Sequence, residues 1–142
     1  MSRTHKIAWA AGFFDGEGYV GIQKRSHKKY IGHYLRIGIN HVAPEPLYEM
    51  RNLFGGTVVK DKRPPVGNRK TRHRWVTSTQ NAADTLKQMM PFFHNKANVA
   101  EIALDFQKTV SVHNRGPNGV SDDVLTFRQE CKDEIQRLNS LD

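Results

Sequence analysis

Two short runs near the start of the chain alternate strictly between apolar and polar positions. In 19–25, Val20 and Ile22 fall on one side and Tyr19, Gly21, Gln23 and Arg25 on the other; in 33–40, Leu35, Ile37 and Ile39 oppose Tyr34, Arg36, Gly38 and Asn40. A period of two predicts strands of one antiparallel sheet with an apolar face and a polar-basic face. A third strand is expected over 57–63, with Thr57 and Val59 inward and Lys60 and Lys62 on the other face. A fourth over 71–78 places Arg72 and Arg74 opposite His73 and Trp75. Helices are expected over 6–15, stopped by Gly16 and Gly18, over 44–54, stopped by Gly55 and Gly56, over 81–90, ended by Pro91, over 95–112, and over 121–138 behind a Ser121 cap. A turn at 64–68 and a loop at 113–119 complete the reading. The order is helix, strand, strand, helix, strand, strand, then three helices, which predicts an α+β fold in one domain over 1–142.

The first helix has an unusual surface. Ala8, Ala11, Gly12 and Asp15 follow the i, i+3, i+4, i+7 rule, so one face is nearly bare of side chains and lets another backbone come close. Ile7, Ala10 and Phe14, with Phe13, are expected to pack into the chain's own core.

Bulk properties narrow the classes. At 142 residues the chain can bury a core without disulfides or a structural metal. Its single cysteine, Cys131, excludes an intramolecular disulfide and a cysteine-rich zinc site. No apolar run approaches the roughly 18 residues of a membrane span, and no cleavable signal pattern opens the sequence. A soluble intracellular protein with no membrane partner, in the cytoplasm or an organelle, is expected.

The formal net charge of +8 is unevenly spread. Between Glu17 and Glu45 there is no acid, while Lys24, Arg25, Lys28, Lys29 and Arg36 fall in the gap. From Val58 to Arg74, Lys60, Lys62, Arg63, Arg69, Lys70, Arg72 and Arg74 face one acid, Asp61. The balance reverses after Ser121, where acids dominate. Both basic runs fall on the strand pairs, so the polar sheet face suits a polyanion: cations to follow phosphates and Gln23, Tyr34 and Asn40 to reach base edges.

Against this background the stretch from Ala10 to Gly18, AAGFFDGEG, is out of place. The C-terminal end of a helix carries partial negative charge, so a carboxylate there costs about 0.3–1 kcal/mol. Asp15 and Glu17 both sit there.

The stretch resembles the signature of the LAGLIDADG homing endonucleases. Ala10 stands at the first leucine of the pattern, Phe13 and Phe14 at the next apolar pair, Asp15 at the first acid and Glu17 at the second. The resemblance extends over almost the whole chain: Gly55 and Gly56 before a strand, a strand bearing Trp75, the run from Pro91 to Lys96 before a helix, and a last helix opening SDDVLTFRQE. It implies a four-stranded DNA-binding sheet, extra C-terminal helices, and signature helices packed at a two-fold axis through Ala8, Ala11, Gly12 and Asp15, hence a homodimer. It further implies Glu17 as ligand of a magnesium ion, replaceable by manganese, at a scissile phosphate. Asp15 takes a structural place near the helix junction or accepts hydrogen bonds from the partner. Lys96 falls where the family has a basic residue after its proline-aromatic turn, able to stabilise charge near the cut, or else faces solvent at a helix start. His41 aligns with a polar residue of the active-site water shell, or is an ordinary strand-end histidine. The DNA-binding set is Gln23, Arg25, Tyr34, Arg36, Asn40, Lys60, Lys62, Arg72 and Arg74.

The implied activity is a staggered double-strand break in a long, near-palindromic target. The alternatives are an RNA maturase that binds intron RNA, a non-cleaving DNA-binding protein of the same fold, and a basic interaction module without enzymatic activity. A carboxylate beside an attracted phosphate favours the nuclease.

Overall fold

The computed structural model describes residues 1–27, 30–62, 66–67, 70–112 and 120–141. The expected loop at 113–119, most of the expected turn at 64–68, and Lys28, Lys29, Arg63 and Arg69 of the basic runs lie outside them. Helix α1 (Arg3–Glu17) starts three residues earlier than its apolar spacing suggests, because the Ser2 hydroxyl accepts the His5 N–H at 3.2 Å and caps the first turn. It ends at Gly18, whose N–H donates to the Phe14 carbonyl. A Cβ at Gly18 would come within 2.5 Å of the Phe14 ring. Glycine therefore lets the chain pass directly from the helix into β1 (Gly18–His27).

Strand β2 (Tyr30–His41) follows, then α2 (Glu45–Phe54), β3 (Thr57–Lys60), β4 (His73–Ser78), α3 (Thr79–Met89), a 3-10 turn (Met90–Phe92), α4 (Ala97–Val112) and α5 (Asp122–Asn139). The fold class is α+β, as expected. The four strands form one antiparallel sheet in the order β1-β2-β4-β3. Val20, Ile22, Leu35, Ile37, Ile39 and Trp75 are buried on one face, beneath α1, α3, α4 and α5. The opposite face carries no helix among the described residues.

One strand is oriented differently from its reading. Val58 pairs with Trp75 and points to the core, while Thr57 and Val59, opposite Val76 and Arg74, lie on the outer face. Lys60 pairs with His73 and so belongs to the helix side of the sheet, at its edge, rather than beside Arg74. Adjacent β-branched residues make the alternation ambiguous, and a one-residue shift exchanges the faces. The register is set instead by the entry: Gly55 and Gly56 have φ of 77° and 93°, and the Trp75 indole N–H donates to the Gly55 carbonyl at 2.9 Å. A Cβ at Gly56 would meet the Val76 carbonyl at 2.7 Å.

Helix α5 packs on α4 and β1, on the helix side of the sheet. Its Arg128 is buried and donates to Thr109, and Asn139 donates to the Val20 carbonyl at 3.1 Å. The acidic helix is thereby kept off the open basic face.

Candidate nucleic-acid interface

The outer face is built by register. Gln23 pairs with Tyr34, Gly21 with Arg36, and Arg36 in turn with Ser78; Asn40 pairs with Arg74, and Arg74 with Val59. Arg25 lays its guanidinium over the Tyr34 ring at 5.0 Å, which stiffens both side chains. Tyr19 covers Gly38, where a Cβ would meet the tyrosine hydroxyl at 2.8 Å. Beyond β3 the Asp61 N–H still donates to the Arg72 carbonyl at 2.9 Å. There the sheet ends in an open groove of about 450 Å³, lined by Asn40, Lys60, Asp61, Lys62, Arg72 and Arg74 among others. The structure thus collects Gln23, Arg25, Tyr34, Arg36, Asn40 and Arg74 on one surface, with Lys60, Lys62 and Arg72 at its rim.

At the other end of this chemistry, the two acids of the signature stretch are in different states. The Asp15 carboxylate accepts backbone N–H bonds from His94 at 3.0 Å, Asn95 at 3.0 Å and Lys96 at 2.9 Å. Lys96 carries the first carbonyl of α4, bonded to the Ala100 N–H, so Asp15 caps the N-terminus of a helix 81 residues away. Burial pushes the Asp15 carboxyl up, but the three N–H groups and the Lys96 charge outweigh it and hold it below the ordinary carboxylate value. Lys96 is 9% exposed, and its ammonium donates to the Asp15 carbonyl at 2.9 Å, so it is not a solvent-facing lysine.

Glu17, two residues on, is exposed, and its side chain makes no hydrogen bond or ion pair among the described residues. It immediately precedes Gly18, whose partner across the sheet is Ile39; Asn40 follows Ile39 on that strand. His41 Nδ1 accepts the Ala43 N–H at 3.0 Å and its ring meets Phe13 edge-on at 5.6 Å, one helical turn before Glu17. Cys131 is no nucleophile: burial pushes its thiol up to about 11.

The bare face of α1 is rotated from its expected place. Ala11 is fully buried in the chain's own core with Ala10 and Phe14, and Asp15 is turned toward 94–96. Ala8 is half-buried at the margin, and Gly12 remains exposed, as expected. The open face is His5, Trp9, Gly12 and Gly16, flanked by Ala8 and Phe13. Alanine is small enough for a helix partner but equally apolar enough for the core, so size alone misplaced the stripe. The i, i+4, i+7, i+11 spacing of positions 5, 9, 12 and 16 is the sequence signal for the face that the structure leaves open.

Asp15 sets a pH dependence. A carboxylate whose folded pKa is depressed contributes stability that is complete above its unfolded value and is lost as pH falls through the folded one. Asp15→Asn should cost about 1–3 kcal/mol at neutral pH, because an amide NH2 then faces backbone donors. Urea midpoints followed into acid should converge for wild type and variant. Parallel curves would contradict the role.

No protein-family model matches the sequence, and no curated protein matches it. The structure nevertheless superposes on solved homing endonucleases. One is I-CvuI in complex with a DNA target in the presence of magnesium, with a TM-score of 0.79 and 21% identity over 96% of this chain and 83% of that one. The archaeal intron-encoded I-Vdi141I, complexed with DNA, gives 0.77 and 11% identity over 96% of this chain and 86% of that one. The LAGLIDADG homing endonuclease I-GzeII, with its DNA target, gives 0.70 and 14% identity over 89% of this chain but 43% of that one. This chain has the fold of the LAGLIDADG homing endonucleases.

Proposed function

We propose that this protein is a homodimeric, divalent-metal-dependent endonuclease that makes a staggered double-strand break in a long, near-palindromic DNA target. The observation that carries the reading is the contrast at the end of α1: Asp15 is held by three N–H groups, while Glu17 is exposed and unpartnered among the described residues. A bare acid at a helix C-terminus beside a cationic sheet is suited to holding a cation against a phosphate.

No group of three or more His, Cys, Asp or Glu side chains able to hold a metal lies among the described residues. In the proposed site Glu17 would share its ion with phosphate oxygens and with Glu17 of a second copy. Magnesium fits such a set, being bound by one or two carboxylates and phosphate rather than by an all-protein cage; manganese should replace it. Such an ion would supply water activation and stabilisation of the leaving oxygen, with Glu17 holding it in place. The structures of I-CvuI on DNA with magnesium, where the DNA is not cleaved, and with calcium support a divalent cation at such a site. Arg25, Arg36, Arg72 and Arg74, with Lys60 and Lys62 at the rim, follow the phosphates, and Gln23, Tyr34 and Asn40 read base edges.

The dimer rests on α1. A Cβ at Gly12 or Gly16 would meet nothing within 4 Å in the single chain, and Trp9, stacked on Phe13 at 5.6 Å, is 43% exposed beside them. A flat, small-residue strip with an exposed tryptophan suits a second copy of itself across a two-fold axis. The coverage of less than half of I-GzeII agrees with one unit of a two-unit assembly.

Incubating the protein with a randomised DNA library in magnesium and sequencing the cut ends tests the activity. Cuts on both strands, within two-fold related half-sites, are expected. Glu17→Gln should lower cutting by orders of magnitude while DNA affinity holds or rises. Uncut DNA, or a Glu17→Gln protein as active as wild type, would refute the reading.

The dimer has its own test. Gly12→Leu should leave the folded chain as stable as wild type, since its side chain enters open space there. Sedimentation should show the dimer lost. A Gly12→Leu dimer would place the interface elsewhere.

A further inference from the structure

The segment before α4 is docked on the last turn of α1 at three points. Phe93 stacks on Phe14 with ring centroids 5.8 Å apart. The Asp15 carboxylate takes the three N–H groups of 94–96, and the Lys96 ammonium returns a bond to the Asp15 carbonyl at 2.9 Å. The last two are reciprocal. Asp15 puts an anion at the positive end of α4, and Lys96 puts a cation at the negative end of α1, on one of the carbonyls that the helix leaves unpaired. Glu17 lies on the same turn as that carbonyl.

We propose that Lys96 is a positioning residue for Glu17: by capping the Asp15 carbonyl from a buried site it fixes the end of α1 and so the place from which the Glu17 carboxylate reaches its cation and phosphate. Three features support this over a direct role at the phosphate. The ammonium is already engaged, it is 9% exposed, and its partner belongs to the backbone that carries Glu17. Lysine suits the task because a flexible apolar stem fills the interior while a compact head donates to a carbonyl. A ligand displaced by even 1 Å can cost about 100-fold in rate. The inference rests on the endonuclease reading for its consequence, and on the hydrogen bonds for its cause.

Amide hydrogen exchange and cleavage kinetics, measured on wild type, Lys96→Met and Asp15→Asn, separate the two. In the free protein, Lys96→Met should accelerate exchange at Gly16, Glu17 and Gly18 by about tenfold or more, with Leu35 and Trp75 unchanged. On DNA its cleavage rate should fall while the DNA Kd holds, and the deficit should narrow as magnesium is raised, because a loosened ligand weakens metal capture. Asp15→Asn should accelerate the same amides, and the double variant should be little worse than either single one, as expected for one coupled device. Should Lys96→Met not fold, Lys96→Gln decides by the same exchange pattern. Unchanged exchange at 16–18 overturns the proposal whether or not the protein cuts. A rate loss identical at every magnesium concentration also overturns it, in favour of a direct charge at the phosphate. A wild-type chain that cuts nothing refutes the endonuclease reading instead, and exchange alone then decides whether Lys96 holds the helix end.

Discussion

Three backbone N–H groups at the start of α4 converge on the carboxylate of Asp15, and the position of the signature helix depends on that convergence. A helix N-terminus leaves donors without partners, and a helix C-terminus leaves acceptors. Here each end is completed by a side chain from the other element, Asp15 for α4 and Lys96 for α1. The acid that looked misplaced at the negative end of α1 is at the positive end of α4. With this end fixed and Phe14 packed between Trp75 and Phe93, the chain can turn at Gly18 straight into β1. Glu17 is left at the corner, outside the hydrogen-bonded knot.

The sheet supplies the second half of the site by segregation. Helices cover the face with Leu35, Ile37 and Trp75, and α5, the most acidic element, is held on that same side through Arg128 and Asn139. The opposite face keeps Arg25, Arg36 and Arg74 free of helices, so their field adds along one surface and focuses polyanions there. A cationic surface and an acidic corner in one small fold have opposite preferences for phosphate. A bound cation would reconcile them, and in this way the charge pattern and the exposed Glu17 support the proposed function. No helix among the described residues is long and apolar enough to cross a membrane.

Much of this was legible in the sequence. The alternation in 19–25 and 33–40 placed β1 and β2 with the correct faces, and the glycines and prolines bounded the helices to within a few residues. The order of elements and the AAGFFDGEG stretch identified the fold. The parts that were not legible share a cause: they depend on contacts distant in sequence. Nothing local to Thr57–Lys60 distinguishes Val58 from Val59; only pairing with Trp75 does. Nothing local to α1 tells whether Ala11 meets a second copy or the chain's own core. The Lys96 ammonium finds its acceptor 81 residues away, so nothing local to the helix start excluded the solvent-facing reading of a lysine that is buried against Asp15.

The proposed function rests on a division of labour between two acids two residues apart, Asp15 structural and Glu17 chemical. Carbon-detected NMR of the two side-chain carboxyls tests it most directly, in the free protein and on DNA, with and without a divalent cation that supports binding but little cleavage, such as calcium. The expected result is that the Glu17 signal moves only when DNA and cation are both present, while Asp15 titrates below the ordinary aspartate value and ignores the cation. An Asp15 signal that follows the cation, or a Glu17 signal indifferent to it on DNA, would contradict the assignment.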